Sequence, residues 1–160
     1  MITYEQLKSA LDYDQETGVF KWKIRGGRSV VPGAIAGGDN GKGHISIGYK
    51  GKRYMAHRLA WLYTYGEWPK HQIDHINVNP ADNRIANLRD VSHSVNKQNM
   101  RRARADSSIG LAGVSMNHKR YAAHIRLNSK RHYIGTYDTP EEAHSAYVST
   151  KRDLHEGCTI

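Results

Sequence analysis

Short stretches of apolar residues at helical spacing alternate along this chain with stretches of strict two-residue alternation, and Gly-, Asn- or Pro-rich breaks divide them. Thr3 to Leu11 predicts a short helix, with Thr3 as N-cap and Gln6 as its capping-box partner. A turn at Asp14–Gly18 precedes Val19 to Ile24, where Phe20, Trp22 and Ile24 share one face of a strand. Arg25 to Gly43 is Gly-rich and reads as loop. His44 to Tyr49 and Arg53 to Ala56 flank Lys50-Gly51-Lys52 in a hairpin pattern. His57 to Tyr65 predicts a helix, stopped by Gly66 and Pro69. Gln72–Ile76 and Leu88–Val91 read as strands around an Asn77–Asn83 loop, and a helix capped by Ser92 or Ser94 runs on to Arg104.

Arg101 to Gly110 turns from basic to small residues and suggests a linker, set at 105–110. Three strand patterns follow, Gly113–Met116, Tyr121–Leu127 and Arg131–Tyr137. A last helix runs from Pro140 to Glu156, opened by Thr139 as N-cap, Pro140 at the first position and Glu142 as capping-box residue. Its stripe Ala143, Ala146, Tyr147, Thr150 and Leu154 should pack on one sheet face. The other face then presents His124, Arg126, Arg131 and Tyr133. The pattern as a whole predicts an α+β protein: a strand-rich segment 1–50, a compact domain 51–104, the linker, and a sheet-plus-helix module 111–160.

Charge narrows the partners. The chain has 160 residues with 24 Lys and Arg against 15 Asp and Glu, a net charge of +9 and a pI near 9.7. Such a surplus favours a polyanion through counterion release. The competing partner, an anionic membrane, is disfavoured because no apolar run of about 18 residues and no signal-peptide core occur. Cys158 is the single cysteine and no CxxC pair exists, which argues against zinc ribbons and for a reduced, cytoplasmic protein. Hydrophobic content of 38%, mean hydropathy of −0.73, ten Tyr and three Trp suggest several small cores closed by aromatic residues. Cores so small are marginal, and a bound metal or DNA would add stability.

The densest chemistry lies between Gln72 and Asn99. Asp74 and His75 end the first strand, Asn87 precedes the second, and Asn96 sits in the following helix. Phosphodiester hydrolysis needs a base for water, and a neutral His can serve near pH 7. Carboxylate and amide oxygens suit a hard divalent cation that stabilises the phosphate charge. Neighbouring strand residues point oppositely, so Asp74 and His75 can share a metal only near a strand end. Asn87 can fix the His tautomer through its other ring nitrogen. Taken singly, these residues also read as ordinary turn formers.

DHINVNPADNRIANLR followed by VSHSVNKQN resembles the HNH endonuclease family, in the variant with Asn as third signature residue, and the preceding AHRLAW is similar to the helix leading into this motif in phage-type HNH homing endonucleases. The resemblance spans roughly residues 40–100 and implies a ββα-metal fold on the DNA minor groove. It makes His75 the general base, Asn87 its orienting residue, and Asp74 with Asn96 the ligands of one Mg²⁺ or Mn²⁺. Arg58, Arg84, Arg89 and Lys97 would then meet phosphates. His57 is either a phosphate contact or packed in the motif's core, and His93, three residues before Asn96, can reach the leaving group or metal.

GVSMNHKRYAAHIRLNSKRHYIGTYDTPEEAHSAY resembles the AP2 DNA-binding domain, which implies a three-stranded sheet in the major groove of double-stranded DNA. By position Arg126, Arg131 and Tyr133 inherit DNA contacts, with His124 where that family usually has an acid. Lys119, Arg120 and Lys130 would hold phosphates. Ser115 replaces the family's Arg after Gly-Val, so no base preference transfers. A cutter joined to a reader implies a homing-type endonuclease of phage or intron origin, acting as a monomer or weak dimer that nicks one strand, with no obligate protein partner. The rival reading is a non-catalytic, sequence-specific DNA-binding regulator, which leaves Asp74, His75, Asn87 and Asn96 without a shared purpose.

Overall fold

The computed structural model describes residues 1–26, 30–98, 108–127, 130–155 and 158. Its internal contacts divide the chain into two units, Met1–His93 and Ser94–Ile160.

In the first unit, α1 (Tyr4–Ala10) starts on its capping box: Gln6 N–H donates to Thr3 Oγ1 at 3.3 Å and Thr3 N–H to Gln6 Oε1 at 3.2 Å. Leu11, expected as a helical residue, instead opens β1 (Leu11–Tyr13), which pairs antiparallel with β2 (Phe20–Trp22). The reason is local periodicity. Leu11 and Tyr13 are buried around an exposed Asp12, and they bury the same side as Phe20 and Trp22. The Asp14 carboxylate accepts from the N–H groups of Glu16 and Thr17 and closes the intervening turn.

The Gly-rich stretch read as loop also supplies β3 (Gly38–Asp39), which joins β4 (Ile45–Tyr49) and β5 (Lys52–Met55) in an antiparallel sheet. Tyr49 faces Lys52, and Lys50 and Gly51 both take positive φ, at 47° and 74°, the two-residue turn whose twist suits a hairpin. α2 (Ala56–Tyr65) buries Ala56, His57, Leu59, Ala60 and Leu62, and stops at left-handed Gly66, whose N–H returns to the Leu62 carbonyl at 2.9 Å. β6 (Gln72–His75) pairs antiparallel with β7 (Leu88–Val91) across a loop that ends in a single 3₁₀ turn at Ile85–Asn87.

One core serves this unit where several small ones were expected. It joins Ile2, Leu7, Leu11, Tyr13, Phe20 and Trp22 to Ile47, Leu59, Leu62, Ile73 and Leu88, with Tyr54, Trp61, Tyr63 and Trp68 packed around it. Each little sheet has a single apolar face, and burying all of them together removes more surface from water than separate burial would. α3 (His93–Gln98) follows β7, and its expected continuation to Arg104 lies outside the described residues, as does the first part of the expected linker.

The second unit holds β8 (Val114–Asn117), β9 (Arg120–Leu127) and β10 (Lys130–Tyr137), antiparallel in the order β8-β9-β10, and α4 (Pro140–Leu154). Thr139 and Glu142 form both bonds of the capping box, each at 3.2 Å. Gly113 lets the chain approach α4: a Cβ there would lie 2.2 Å from the Tyr147 ring. The apolar stripe departs from expectation at its end. Leu154 is exposed and Lys151 is buried in its place, with its ammonium 5.8 Å from the Tyr147 ring centre, since the long methylene stem lets a lysine fill an apolar position. Among the described residues no helix is long and apolar enough to cross a membrane.

Candidate active site

β6 carries Asp74 and His75 in adjacent positions, so the two side chains leave opposite sides of the strand. Asp74 stands opposite Arg89 in the β6–β7 register, and the guanidinium grips Oδ2 through Nε at 2.8 Å and Nη2 at 2.7 Å. Arg89, expected at a phosphate, therefore binds the carboxylate expected to hold metal. Both contacts go to one oxygen, and a carboxylate offers about four lone-pair directions in all.

His75 is the last residue of β6 and belongs to a nest of three imidazoles. Its ring centre lies 5.2 Å from that of His57, near the start of α2, and 5.8 Å from that of His44, just before β4. His44 and His57 are 5.4 Å apart, and all three contacts are edge-on. His57 is only 8% exposed and His75 7%. Burial pushes the His57 ring down to about 3, with the other two histidines and Arg58 adding to the effect. His75 is lowered chiefly by burial; the Asn83 side chain partly offsets this, His44 lowers it further, and Asp74 and Asp82 favour the charged ring. Both rings are thereby neutral at pH 7, the form that can accept a proton.

The loop after His75 is a mesh of amide bonds. Asn87 Oδ1 accepts from Asn77 N–H and its Nδ2 donates to the Asp82 carbonyl, both at 2.9 Å, while its main-chain oxygen accepts from Ile76 N–H at 2.9 Å. Asn87 was expected to bond the imidazole. Its amide is instead taken up by the loop, because the 3₁₀ turn sets the side chain over residues 77–82, and it holds the segment next to His75. Asn77 also donates to Asp82 Oδ2 at 2.7 Å, and Arg84 pairs with the same carboxylate at 2.6 Å, which depresses the Asp82 pKa to about 2. Val78 closes the turn by donating to the His75 carbonyl at 2.9 Å and is held at φ 65°, a strained value for a β-branched residue. Tyr13 and Gly18 brace the loop from the N-terminal segment. The Tyr13 hydroxyl donates to the Asn83 carbonyl at 2.7 Å, and a Cβ on Gly18 would fall 2.5 Å from Arg84 N.

The remaining expected residues are scattered. Arg58 stacks near Trp68 (5.7 Å) and donates to the His71 carbonyl at 3.3 Å; with Lys52, Arg53 and Tyr54 it lines an open groove of about 500 Å³. His93 is exposed, with Nδ1 3.2 Å from Gln72 Oε1. Asn96 and exposed Lys97 lie on α3, beyond the first unit. In the second unit β9 and β10 set Arg126 opposite Arg131 and His124 opposite Tyr133, whose rings are 5.7 Å apart. Arg131 also donates to Ser115 Oγ at 3.1 Å, so these side chains share one face. Arg120 is spent in part on an exposed pair with Asp138 at 2.7 Å, and Lys119 and Lys130 are exposed. His44 was not foreseen. Its one signal is its place at the foot of the hairpin leading into α2, and nothing in the spacing ties it to His75.

Residues 54–98 match the family model of the HNH endonucleases. The matched stretch begins in β5, takes in His57, His75 and Asn87, and ends at the last residue of α3. Comparison with curated proteins and with solved structures returns no match. The family match supports a nuclease with DNA as its substrate.

Proposed function

We propose that the chain is a metal-dependent DNA endonuclease of the HNH homing type, which nicks one strand per monomer and recognises its site with help from an AP2-like sheet. What chiefly supports this is the match over residues 54–98, with a neutral, deeply buried His75 at the end of β6.

In this reading His75 takes the proton of the attacking water. His57 and His44 shield it from bulk solvent and hold its charge state. Asn87 is a positioning residue that acts through the loop rather than on the ring. Asp74 would be an oxygen donor for Mg²⁺ or Mn²⁺, a cation that supplies charge neutralisation on the phosphate and leaving oxygen when bound, and Asn96, on α3, keeps the ligand role that the resemblance implies. A buried carboxylate suits such a cation, and Arg89 stands in for positive charge beside it. Rearrangement of the Arg89–Asp74 pair would let the guanidinium turn to a phosphate oxygen. Arg58 and Arg84, both partly solvent-facing, are further phosphate contacts, and His93 is an accessory group. On the sheet, Arg126, Arg131, His124 and Tyr133 would read bases, with Lys119, Arg120 and Lys130 on the backbone.

The test is conversion of supercoiled plasmid, and of a randomised DNA library, by wild type and His75→Ala with Mg²⁺, Mn²⁺ or EDTA. Metal-dependent nicks that His75→Ala abolishes while binding persists are the expected result. Site-specific binding without cleavage on any library would leave a DNA-binding regulator.

A further inference from the structure

The three imidazoles at His44, His57 and His75 do more than neighbour one another. Each offers a ring nitrogen, and the three nitrogens lie within 4.8 Å of one another. A borderline transition-metal ion bound by histidines at about 2.0–2.1 Å needs nitrogens roughly 3.3 Å apart, which ring rotations of about 1 Å would supply. His57 is more than nine-tenths buried, and its Nδ1 meets no hydrogen-bond partner among the described residues. A buried polar atom left so is costly unless something occupies it. His57 and His75 stand on α2 and at the end of β6, and His44 immediately precedes β4, with residues of all three elements packed in one core, so two of the three ligands are held by regular structure and the third lies next to it.

We propose that His44, His57 and His75 form a site for a borderline transition dication such as Zn²⁺, Co²⁺ or Ni²⁺, distinct in its nitrogen ligands from the oxygen donor proposed at Asp74. Imidazole donors select such ions, whereas Mg²⁺ and Mn²⁺ prefer oxygen. Three histidines leave a fourth position open to water or a phosphate oxygen. Binding there occupies the nitrogen with which His75 would accept a proton, so Zn²⁺ at this site is an inhibitor of Mg²⁺-dependent cleavage. The regulatory half of the proposal rests on the nuclease reading; the metal site itself does not.

Co²⁺ is the probe, titrated into the metal-free full chain without DNA and read by its visible d–d absorption and by thermal melting. One Co²⁺ per chain, in a histidine-type spectrum with a raised Tm, is expected. His44→Gln and His57→Gln, each shown folded by circular dichroism, should weaken Co²⁺ binding by more than the 10–100-fold that loss of an outer-sphere partner costs. His44 is the partly exposed member, so its variant is the one that best preserves the fold. Unchanged Co²⁺ affinity in folded His44→Gln overturns the site. In the cleavage assay each protein is compared with its own Zn²⁺-free rate in Mg²⁺, whatever that rate is, and the Zn²⁺ concentration that halves it should be at least about tenfold higher for His44→Gln than for wild type; equal inhibition of both overturns the regulatory role. A Co²⁺ site present in a chain that cuts no DNA would retain the metal site and remove the nuclease reading.

Discussion

Replacing Tyr13 by phenylalanine removes a single oxygen, and that oxygen joins two segments 70 residues apart. The hydroxyl donates to the Asn83 carbonyl at 2.7 Å, in the loop that follows His75. The phenol is 6% exposed, and burial, reinforced by Asp14 and Asp82, raises its pKa well above the ordinary tyrosine value, so the proton stays on the oxygen throughout the working range. Phenylalanine would keep the stack on Phe20 (4.6 Å, 25°) and the edge contact with Tyr63 (5.5 Å). The change is therefore close to a pure hydrogen-bond deletion. It leaves the Asn83 carbonyl without its partner in a dry place, at a cost of about 1–3 kcal/mol.

For a unit of this size each kcal/mol is worth about 4–8 °C in Tm. Tyr13→Phe should thus lower the melting temperature of the first unit by roughly 4–24 °C. Circular dichroism melts and urea titrations at pH 7 measure it, with the urea slope unchanged if only stability has altered. Cleavage per folded molecule should also fall, since the Asn83 main chain fixes the loop around His75. A loss below about 0.5 kcal/mol would mean that the carbonyl finds water, and the claim that this bond couples the N-terminal strands to the site would fail.

Gly18→Ala should destabilise more than Tyr13→Phe, because φ is 74° and the new methyl would meet main-chain atoms of Asn83 and Arg84 at 2.5–2.6 Å; equal Tm values would refute this close approach. Val78→Asn should raise stability by about 1 kcal/mol, since Asn tolerates the left-handed conformation that Val78 adopts at φ 65°; a lower urea midpoint would show that the valine side chain matters more than its backbone. His57 is neutral in the folded chain down to about pH 3 but titrates near 6.5 when unfolded, so its stabilisation is complete above pH 6.5 and declines below it, by up to about 1.4 kcal/mol per pH unit. His75 acts in the same direction. A urea midpoint in EDTA that stays flat from pH 7 to 4.5 would contradict this, and that window lies above the one in which Asp82 contributes. On DNA, Arg126→Ala should weaken binding by about 1–3 kcal/mol and relax the base preference at one position; unchanged affinity and base preference would remove this residue from the interface.

Where local physics dominates, the sequence was legible. Thr3/Gln6 and Thr139/Glu142 announce their helices because a capping box is written in residues three apart. The Lys50-Gly51 turn and the strand Leu88–Val91 follow from equally short patterns. β1 escaped because three residues cannot display a period against the helix running into them, and its pairing with β2 is a tertiary fact. Lys151 lies outside the predicted apolar stripe because its burial depends on a neighbouring ring rather than on its own pattern. The site divides in the same way. Asp74, His75 and Asn87 stand out as a cluster in sequence, but Arg89's hold on Asp74 needs the strand register, and His44 reaches His75 only through the core.

The two ends of β6 chemistry are consequently set by different forces. His75 is tuned chiefly by what burial removes: water is excluded from the ring, so its proton affinity drops, and His44 lowers it further. Asp74, one residue earlier, is governed by what is added, a guanidinium against a carboxylate that is 6% exposed. Desolvating such a pair costs several kcal/mol per ion, and it is tolerable only while both partners stay together. Any ligand that draws Arg89 away must therefore put positive charge back beside Asp74. A phosphate alone cannot do that, because it removes the cation and brings more negative charge. A phosphate arriving with a divalent cation could, with Asp74 as the residue that would hold the cation and Arg89 as the one that would hold the phosphate oxygen. Under the proposed metal role of Asp74, its release from Arg89 is coupled to the joint arrival of metal and DNA, so Arg89→Ala should bind Mn²⁺ without DNA more weakly than wild type binds it with DNA, yet more tightly than wild type alone; identical metal affinity in wild type and variant would show that the pair does not gate the carboxylate.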